Sequence, residues 1–265
     1  MALIACVGDN CVDRYVGDAT SDMPGGNALN VAVHLAADYY GSVGDDDEGR
    51  MLVDRARSAG VGVDGVELLP GRTGVTLVQV EDGERRFLRE EYGASAGFRV
   101  SATLAARLCG YRWVHVARQP DALALAPALR AAGVPLSCDF CDAWDAGLAA
   151  ELAPHLEVAF FSGDDAAAAD AVERGATIAV ATLGDAGSVA YTASERYEQA
   201  ALPAQIVDTL GAGDALIAAF IAARLDGADP RASLRAGAEA AADACSHLGA
   251  WPTQDRSATR DEVTQ

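Results

Sequence analysis

Short apolar runs alternate with segments of helical periodicity along most of the chain. The apolar runs predict buried strands at residues 3–7, 113–116, 134–139, 158–161 and 177–182. Amphipathic or alanine-rich stretches predict helices at residues 28–37, 48–59, 122–132, 146–152, 166–174, 212–225 and 232–248. From about residue 100 onward this alternation predicts a doubly wound, mostly parallel α/β sheet with helices on both faces.

The first hundred residues add a different pattern. Residues 75–80 and 85–91 alternate in polarity on either side of a polar turn that contains Asp82-Gly83. Because Asp-Gly between two such stretches is typical of a hairpin, we expect a small antiparallel β-sheet here, at one edge of the fold, that acts as a lid. No linker or internal repeat divides the chain. We therefore expect a single domain over residues 1–251, with lid strands from about residues 75–91, and a polar C-terminal tail over residues 252–265.

The charge balance excludes several classes of protein. The chain has 39 acidic residues against 20 basic ones, a net charge of −19, and every basic residue is arginine. Binding to nucleic acid or to an anionic membrane needs a basic excess, so we expect neither partner. Without lysine, a Walker A loop and Schiff-base chemistry are excluded. No apolar run reaches the length of a membrane span, and the N-terminus lacks a basic leader, so we expect a cytoplasmic protein.

Residues 208–214 carry the first chemical signal, the string Asp-Thr-Leu-Gly-Ala-Gly-Asp directly before an apolar helix. Small residues leave the backbone N–H groups accessible, and the helix dipole adds partial positive charge, which together favour a bound anion. An aspartate beside that anion weakens its binding, but it is useful if Asp214 accepts a proton from an attacking hydroxyl. The alternative is an ordinary capped helix.

Three other polar segments follow or precede predicted elements. Residues 25–30, Gly-Gly-Asn-Ala-Leu-Asn, offer amide donors and acceptors suited to sugar hydroxyls, or else form a tight turn with an asparagine cap. Residues 8–13 follow the first strand, at the edge where ligands bind in such sheets, or else form a solvated turn. Residues 182–188 form a glycine-rich turn that either cradles nucleotide phosphates or only connects a hairpin.

In this order the motifs resemble those of the ribokinase-like (PfkB) carbohydrate kinases, over about residues 3–251. The matching strings are GGNxxNVA at residues 25–32, DTxGAGD at 208–214, VGDDDEG at 43–49 and TLGxxGS at 182–188. Shorter strings, GDNCVD at residues 8–13, DFxDxWD at 139–145 and GAW at 249–251, resemble the fructoselysine 6-kinase branch of that family. The resemblance implies a ribokinase-like sheet with a small β-sheet lid, ATP and Mg²⁺ as cofactors, and a homodimer through the lid.

The resemblance also implies roles for individual residues. Asp214 is the expected catalytic base, beside an anion hole formed by Gly211, Ala212 and Gly213. The expected sugar-binding residues are Asp13, Gly25, Gly26, Asn27 and Asn30. The expected ATP-binding residues are Thr182, Gly184, Gly187, Asp208 and Thr209. The family's NxxE motif is replaced by Phe-Ser-Gly-Asp-Asp at residues 161–165, so Asp164 or Asp165 takes the place of the glutamate near Mg²⁺.

The expected function is ATP-dependent phosphorylation of a small sugar or sugar amine, with fructoselysine converted to fructoselysine 6-phosphate. The amine of such a substrate is cationic, and carboxylates are candidate partners for it at Asp9, Asp13, Glu90, Glu91, Asp139 and Asp142. The alternatives are another PfkB-type sugar kinase, such as a fructokinase or ribokinase, or a non-catalytic sugar- or nucleotide-binding regulator. A dinucleotide-dependent oxidoreductase is disfavoured because residues 8–10 lack the second glycine of GxGxxG. Residues 37–41 are short for the family, which indicates either a trimmed loop or missing residues.

Overall fold

Two sheets organise the chain in the computed structural model, which describes residues 3–16, 21–81, 84–117, 119, 121–142 and 145–252. The strands are β1 (Ile4–Gly8), β2 (Cys11–Val16), β3 (Ser21–Gly25), β4 (Asp38–Gly44), β5 (Gly62–Leu69), β6 (Thr73–Glu81), β7 (Glu84–Gly93), β8 (Trp113–Ala117), β9 (Leu136–Asp139), β10 (Val158–Ser162), β11 (Ile178–Thr182), β12 (Ser188–Tyr191) and β13 (Arg196–Gln199). The helices are α1 (Asn27–Leu35), α2 (Asp47–Ser58), α3 (Ala102–Leu108), α4 (Ala122–Ala131), α5 (Ala146–Leu152), α6 (Asp165–Glu173), α7 (Ala212–Leu225) and α8 (Pro230–Ala244).

The larger sheet has the strand order β13-β12-β11-β10-β9-β8-β1-β4-β5. All neighbours from β11 to β5 pair in parallel, and the two edge strands β12 and β13 are antiparallel. Since β1 is central and the chain winds outward from it in both directions, the predicted doubly wound α/β fold is confirmed. The carboxyl ends of the parallel strands consequently lie at one edge of the sheet, where such folds bind their ligands.

Apolar side chains on both faces of this sheet pack against helices. On one face Leu125, Leu129 and Leu152 belong to a buried cluster with Phe161, and on the other Leu29, Leu52 and Phe220 belong to one with Phe160. The neighbouring residues Phe160 and Phe161 thus serve opposite faces, because side chains alternate along a strand. Each such side chain contributes about 1.5–3 kcal/mol when fully buried, which gives the site a rigid base.

The second sheet has the order β3-β2-β6-β7. It includes the predicted hairpin strands, whose turn residues Asp82 and Gly83 lie outside the described residues, and it also recruits β2 and β3. The sequence predicted an antiparallel sheet, but β2 and β6 pair in parallel, because α1, β4, α2 and β5 intervene between them in the chain. The chain enters the second sheet at β2, directly after the carboxyl end of β1.

The short segment at residues 37–41 has a simple structural explanation. Only Ala36 and Ala37 separate α1 from β4, and Ala36 adopts a left-handed conformation with φ 47° that closes the helix. Tyr39 and Tyr40 already pair with Cys6 and Val7 of β1. The connection is therefore tight, and β4 is continuous. Among the described residues, no helix combines the length and the apolar character that crossing a membrane requires.

Candidate active site

A cavity of about 240 Å³ lies between the carboxyl edge of the larger sheet and one face of the second sheet. Nine of the residues predicted to bind substrate or act in catalysis line it: Asp9, Asp13, Gly26, Asn27, Asn30, Glu90, Glu91, Asp142 and Asp214. We call it the site cavity. The described residues that line it include several carboxylates and no arginine, so its electrostatic character is strongly negative.

Asp214 lies in the first turn of α7 and lines the site cavity. Its Oδ2 accepts a hydrogen bond of 2.7 Å from Asn30 Nδ2, and Asn30 Oδ1 accepts one of 3.0 Å from Trp251 Nε1. Trp251 thus fixes the amide so that its donor faces the carboxylate. Burial raises the pKa of Asp214 well above its ordinary value, the nearby charges of other cavity aspartates raise it further, and the Asn30 bond opposes them. The carboxyl group is consequently poised to hold a proton.

The loop before α7 and the first residues of this helix bring backbone with little side-chain cover to the site cavity. Gly211 has φ 75°, and a Cβ there would lie 2.6 Å from Ala250 Cα, so the approach of the chain to Ala250 requires glycine. At Gly213 a Cβ would meet nothing within 4 Å, so the backbone is open on that side. Because the first N–H groups of a helix lack intrahelical partners, an open helix start of this kind fits an anion.

Asp208 holds the loop before α7 in place by hydrogen bonds. It is buried and accepts hydrogen bonds from the Tyr15 hydroxyl and the Gly249 N–H, both 2.8 Å, and from the Leu210 N–H at 3.0 Å. These bonds connect the loop before α7 with β2 and with residues 249–251. Asp208 therefore positions the loop through protein contacts, whereas its neighbour Thr209 is exposed.

The glycine pair at residues 25–26 makes room for the cavity's polar groups. Gly25 lies beside β2, where a Cβ would come within 1.9 Å of Asp13 Oδ2. Gly26, with φ 100°, passes so close to Asn10 that a Cβ would lie 2.3 Å from its Cα. These contacts explain why both positions carry glycine and why the Asp13 side chain, only 4% exposed, can occupy the inner wall.

Asn27 is held between two aspartates at the start of α1. Its backbone N–H donates to Asp9 at 3.3 Å, and its Nδ2 donates to Asp139 Oδ2 at 2.5 Å. Burial raises the pKa of Asp139, and this outweighs the bonds that it accepts from Cys141 and Asn27. Cys141 has φ 57°, an uncommon conformation for a residue other than glycine, and its N–H bonds to Asp139 at 2.9 Å. Asp9 and Asp139 were considered at sequence level only as amine partners; both also order the site cavity.

The second sheet closes the other side of the site cavity. Thr76 of β6 and Glu90 of β7 face each other across the two strands and both line the cavity, together with Phe87 and Tyr92. The Tyr92 hydroxyl donates to Glu90 Oε2 at 3.2 Å. Sequence reasoning identified Glu90 by its charge but not the two aromatic residues, which carried no motif.

Three of the five predicted ATP-binding residues, Thr182, Gly184 and Gly187, lie apart from the site cavity along the turn from β11 to β12, whereas Asp208 and Thr209 lie in the loop before α7. Thr182 ends β11, and Gly184, with φ 61°, has open space where a Cβ would be. Gly187 has φ 97°, and a Cβ at this position would lie 2.1 Å from the Gln199 carbonyl oxygen. The turn therefore requires glycine there. This turn shares the carboxyl edge of the sheet with the site cavity, and its open side fits a phosphate chain.

Asp164 and Asp165, the two candidates near Mg²⁺, differ in their surroundings. Asp164 caps α6 by accepting from the Ala167 N–H at 2.8 Å. Asp165 accepts from the Tyr191 hydroxyl at 2.8 Å and lies 3.6 Å from an Arg196 nitrogen. The part of the chain that the structure describes holds no group of three or more ligand side chains for a metal. A cation here fits as a largely hydrated Mg²⁺ with few protein ligands, and Asp164 is the less engaged carboxylate.

Comparison with known proteins places these features in a family. The model of the pfkB family carbohydrate kinases matches residues 1–117 and 149–255. Fructoselysine 6-kinase of Escherichia coli (strain K12) is 36% identical over 264 residues, which cover 95% of this chain and 100% of that protein. Fructosamine kinase FrlD of Bacillus subtilis (strain 168) is 33% identical over 270 residues, covering 95% and 93% of the two chains. The structure of Arabidopsis thaliana ribokinase complexed with ribose and ATP superposes with a TM-score of 0.84 at 23% identity, covering 96% of each chain, and supports the fold.

Proposed function

This chain belongs to the pfkB family of carbohydrate kinases, and from that premise we propose that it transfers the γ-phosphoryl group of ATP to the 6-hydroxyl of fructoselysine. Two relatives that are 36% and 33% identical over 95% of the chain are a fructoselysine kinase and a fructosamine kinase. The observation that carries the proposal is Asp214, which lines the site cavity beside the open start of α7.

In the proposed reaction Asp214 accepts the proton of the 6-hydroxyl. As that proton leaves, the hydroxyl oxygen bonds to the γ-phosphorus, and the bond from this phosphorus to the β-phosphate oxygen breaks. The backbone of Gly211, Ala212 and Gly213 holds the oxygens of the transferred group, where preorganised donors are most effective. Asp164 or Asp165 would hold Mg²⁺, which would supply neutralisation of the phosphate charge. Asn30 keeps the carboxylate of Asp214 oriented through its 2.7 Å bond.

The electrostatics of the site cavity favour a cationic substrate. Its described lining includes six carboxylates and no basic side chain: Asp9, Asp13, Glu90, Glu91, Asp142 and Asp214. A neutral sugar adds no opposite charge, so the pKa of Asp214 stays raised by burial and by the nearby aspartates. A protonated amine in the cavity lowers that pKa, because an opposite charge favours the ionised carboxylate. The substrate amine thus helps the base to ionise.

The test is a coupled assay of ADP release with fructoselysine, fructose and ribose as acceptors, run with and without Mg²⁺. We expect fructoselysine to have the highest kcat/KM, with ³¹P and ¹³C NMR locating the phosphate on C6. A sample without acceptor controls for hydrolysis of ATP. A higher kcat/KM for fructose or ribose would contradict the fructoselysine proposal while leaving the carbohydrate kinase in place.

A homodimer through the second sheet stays a prediction. In β7, Leu88 is 46% exposed, an apolar surface that a second copy would cover. Sedimentation of wild type and a Leu88→Glu variant tests this contact, since a dimer that uses it would dissociate in the variant.

A further inference from the structure

β7 carries one extra residue where it passes Val78 of β6. The pairing is regular from Glu90 opposite Thr76 to Arg89 opposite Leu77, but the next partner of β6 is Phe87 rather than Leu88. Leu88 is the additional residue of a β-bulge. Because of it, Phe87 shares its face of the second sheet with Glu90, whereas strict alternation would have placed Leu88 there.

The bulge creates a small cluster of two aromatic rings and a carboxylate. Phe87, Glu90 and Tyr92 all line the site cavity, and we call them the aromatic-acidic rim. Phe87 is 54% exposed and Tyr92 is 40% exposed, so apolar ring surface faces solvent at the mouth of a polar cavity. Exposed aromatic surface of this kind beside a cavity is typical of a binding site.

The neighbouring acid has a different environment. Glu91 follows Glu90 in β7 and also lines the site cavity, but its carboxylate forms an ion pair with Arg89. The Glu90 carboxylate accepts the Tyr92 hydroxyl, a bond that orients it next to the ring. The two adjacent glutamates therefore differ in their partners, and Glu90 is the one integrated with the aromatic residues.

We propose that the aromatic-acidic rim binds the part of the substrate that lies beyond the sugar: a protonated amine at Glu90, with an attached apolar stem against Phe87 and Tyr92. This rests on the proposed function, and it names the residues that select the amine. A carboxylate forms a charge-assisted hydrogen bond to an ammonium group, and aromatic faces attract cations and cover methylene groups. In a ketose phosphorylated at C6, the amine on C1 lies at the opposite end of the sugar from the reacting hydroxyl. The substrate can therefore place its hydroxyl at Asp214 and its amine at the second sheet.

Three acceptors separate the two contributions of the rim. Fructose has neither amine nor stem, 1-amino-1-deoxyfructose has the amine alone, and fructoselysine has both. We expect Glu90→Gln to lower the ratio of kcat/KM for each amine to that for fructose by about 10-fold to 100-fold, the range of a charged hydrogen bond. We expect Phe87→Ala to lower the ratio of fructoselysine to 1-amino-1-deoxyfructose by about 3-fold to 10-fold. Glu67→Gln, at an exposed glutamate of β5 outside the cavity lining, is the matched control and should change neither ratio by more than about twofold.

The outcomes distinguish this inference from the proposed function. If wild type prefers the amines and Glu90→Gln keeps that preference, the assignment to the rim is wrong and the proposed function stands. An equal loss in Glu67→Gln would show a general charge effect and would also overturn the assignment. If wild type phosphorylates fructose and neither amine, both fail. Thermal melting of each variant, together with the ratios measured within one variant, excludes misfolding as the cause.

Discussion

Replacing Asp214 with asparagine keeps the shape of the side chain and removes its capacity to accept a proton. The Asn30 Nδ2 bond of 2.7 Å can persist, because the amide oxygen of the new residue accepts it as the carboxylate did. The open backbone at Gly213 is unchanged, so binding of the phosphate chain should persist as well. The substitution therefore tests proton transfer with little disturbance of the surrounding structure.

The expected loss of kcat is about 10²-fold to 10⁴-fold, the usual contribution of a general base. The expected effect on stability has the opposite sign. Burial raises the pKa of Asp214 in the folded state, so this group favours folding below its unfolded pKa and loses that contribution as the pH rises towards the folded value. At pH 8 the Asp214→Asn variant should therefore be more stable than wild type, and the gain should shrink towards pH 4.

The assays are steady-state phosphorylation of fructoselysine, nucleotide binding by calorimetry, and urea unfolding at pH 8 and pH 4. Asp54→Asn is a matched control, because Asp54 lies on the exposed face of α2 and pairs with Arg57 at 2.9 Å. It should alter neither turnover nor the pH dependence of stability. Turnover near that of wild type in Asp214→Asn would refute the base assignment. A variant less stable than wild type at pH 8 would refute the electrostatic argument.

Other predictions concern residues around the site and in the core. Asp139→Asn should move the acidic limb of the pH profile of kcat/KM to lower pH, because removing a like charge lowers the pKa of Asp214. Asp164→Asn should raise the Mg²⁺ concentration for half-maximal rate while retaining the cap of α6, whereas Asp165→Asn should leave that concentration within about twofold. Burial lowers the pKa of His115 to about 3, so its neutral form contributes stability that is present above pH 6.5 and is lost as the pH falls towards 3. Between pH 7.5 and 5.5 that loss is about 1.4 kcal/mol. Urea unfolding at the two pH values should therefore show this decrease in the free energy of unfolding for wild type, and His115→Phe should lack the histidine's share of it.

The fold could be predicted from the sequence where a buried strand consists of a continuous run of apolar residues, but not where a buried strand contains polar residues and glycines. Strands such as β8 and β10 are buried on both faces of the sheet, so in the sequence they appear as short, nearly continuous runs of apolar residues. β4 was missed because its sequence, DYYGSVG, contains an aspartate, two glycines and a serine. Ser42 in β4 is nevertheless buried and donates to the Ala94 carbonyl at 2.9 Å, a tertiary contact that no local pattern announces.

The site was predictable where a motif constrains the backbone. Glycine is needed at residues 25, 26 and 211 because another chain segment lies within 3 Å of where a Cβ would be. These glycines fall within short sequence motifs, so the motifs identify the positions. The aromatic-acidic rim has no such signature. Its composition depends on the bulge at Leu88, which shifts the alternation of β7 by one residue and is visible only in the pairing with β6. Sequence alternation alone would have put Phe87 on the wrong face.

A comparison of Asp46 with Asp214 shows how hydrogen-bond donors around a carboxylate decide the direction of its pKa shift. Partial burial raises the pKa of Asp46, but hydrogen bonds from the Thr73 hydroxyl and N–H and from the Gly49 N–H outweigh it and hold the pKa below its ordinary value. Asp214 is also partly buried, but the Asn30 bond is outweighed by desolvation and by the charges of neighbouring aspartates, so its pKa is raised. Asp46 is satisfied by the protein and fixes α2 against β6. In the proposed reaction, the substrate hydroxyl donates to Asp214, and a positive charge elsewhere on the substrate favours the ionised carboxylate, which agrees with an acceptor that carries both a hydroxyl and an amine.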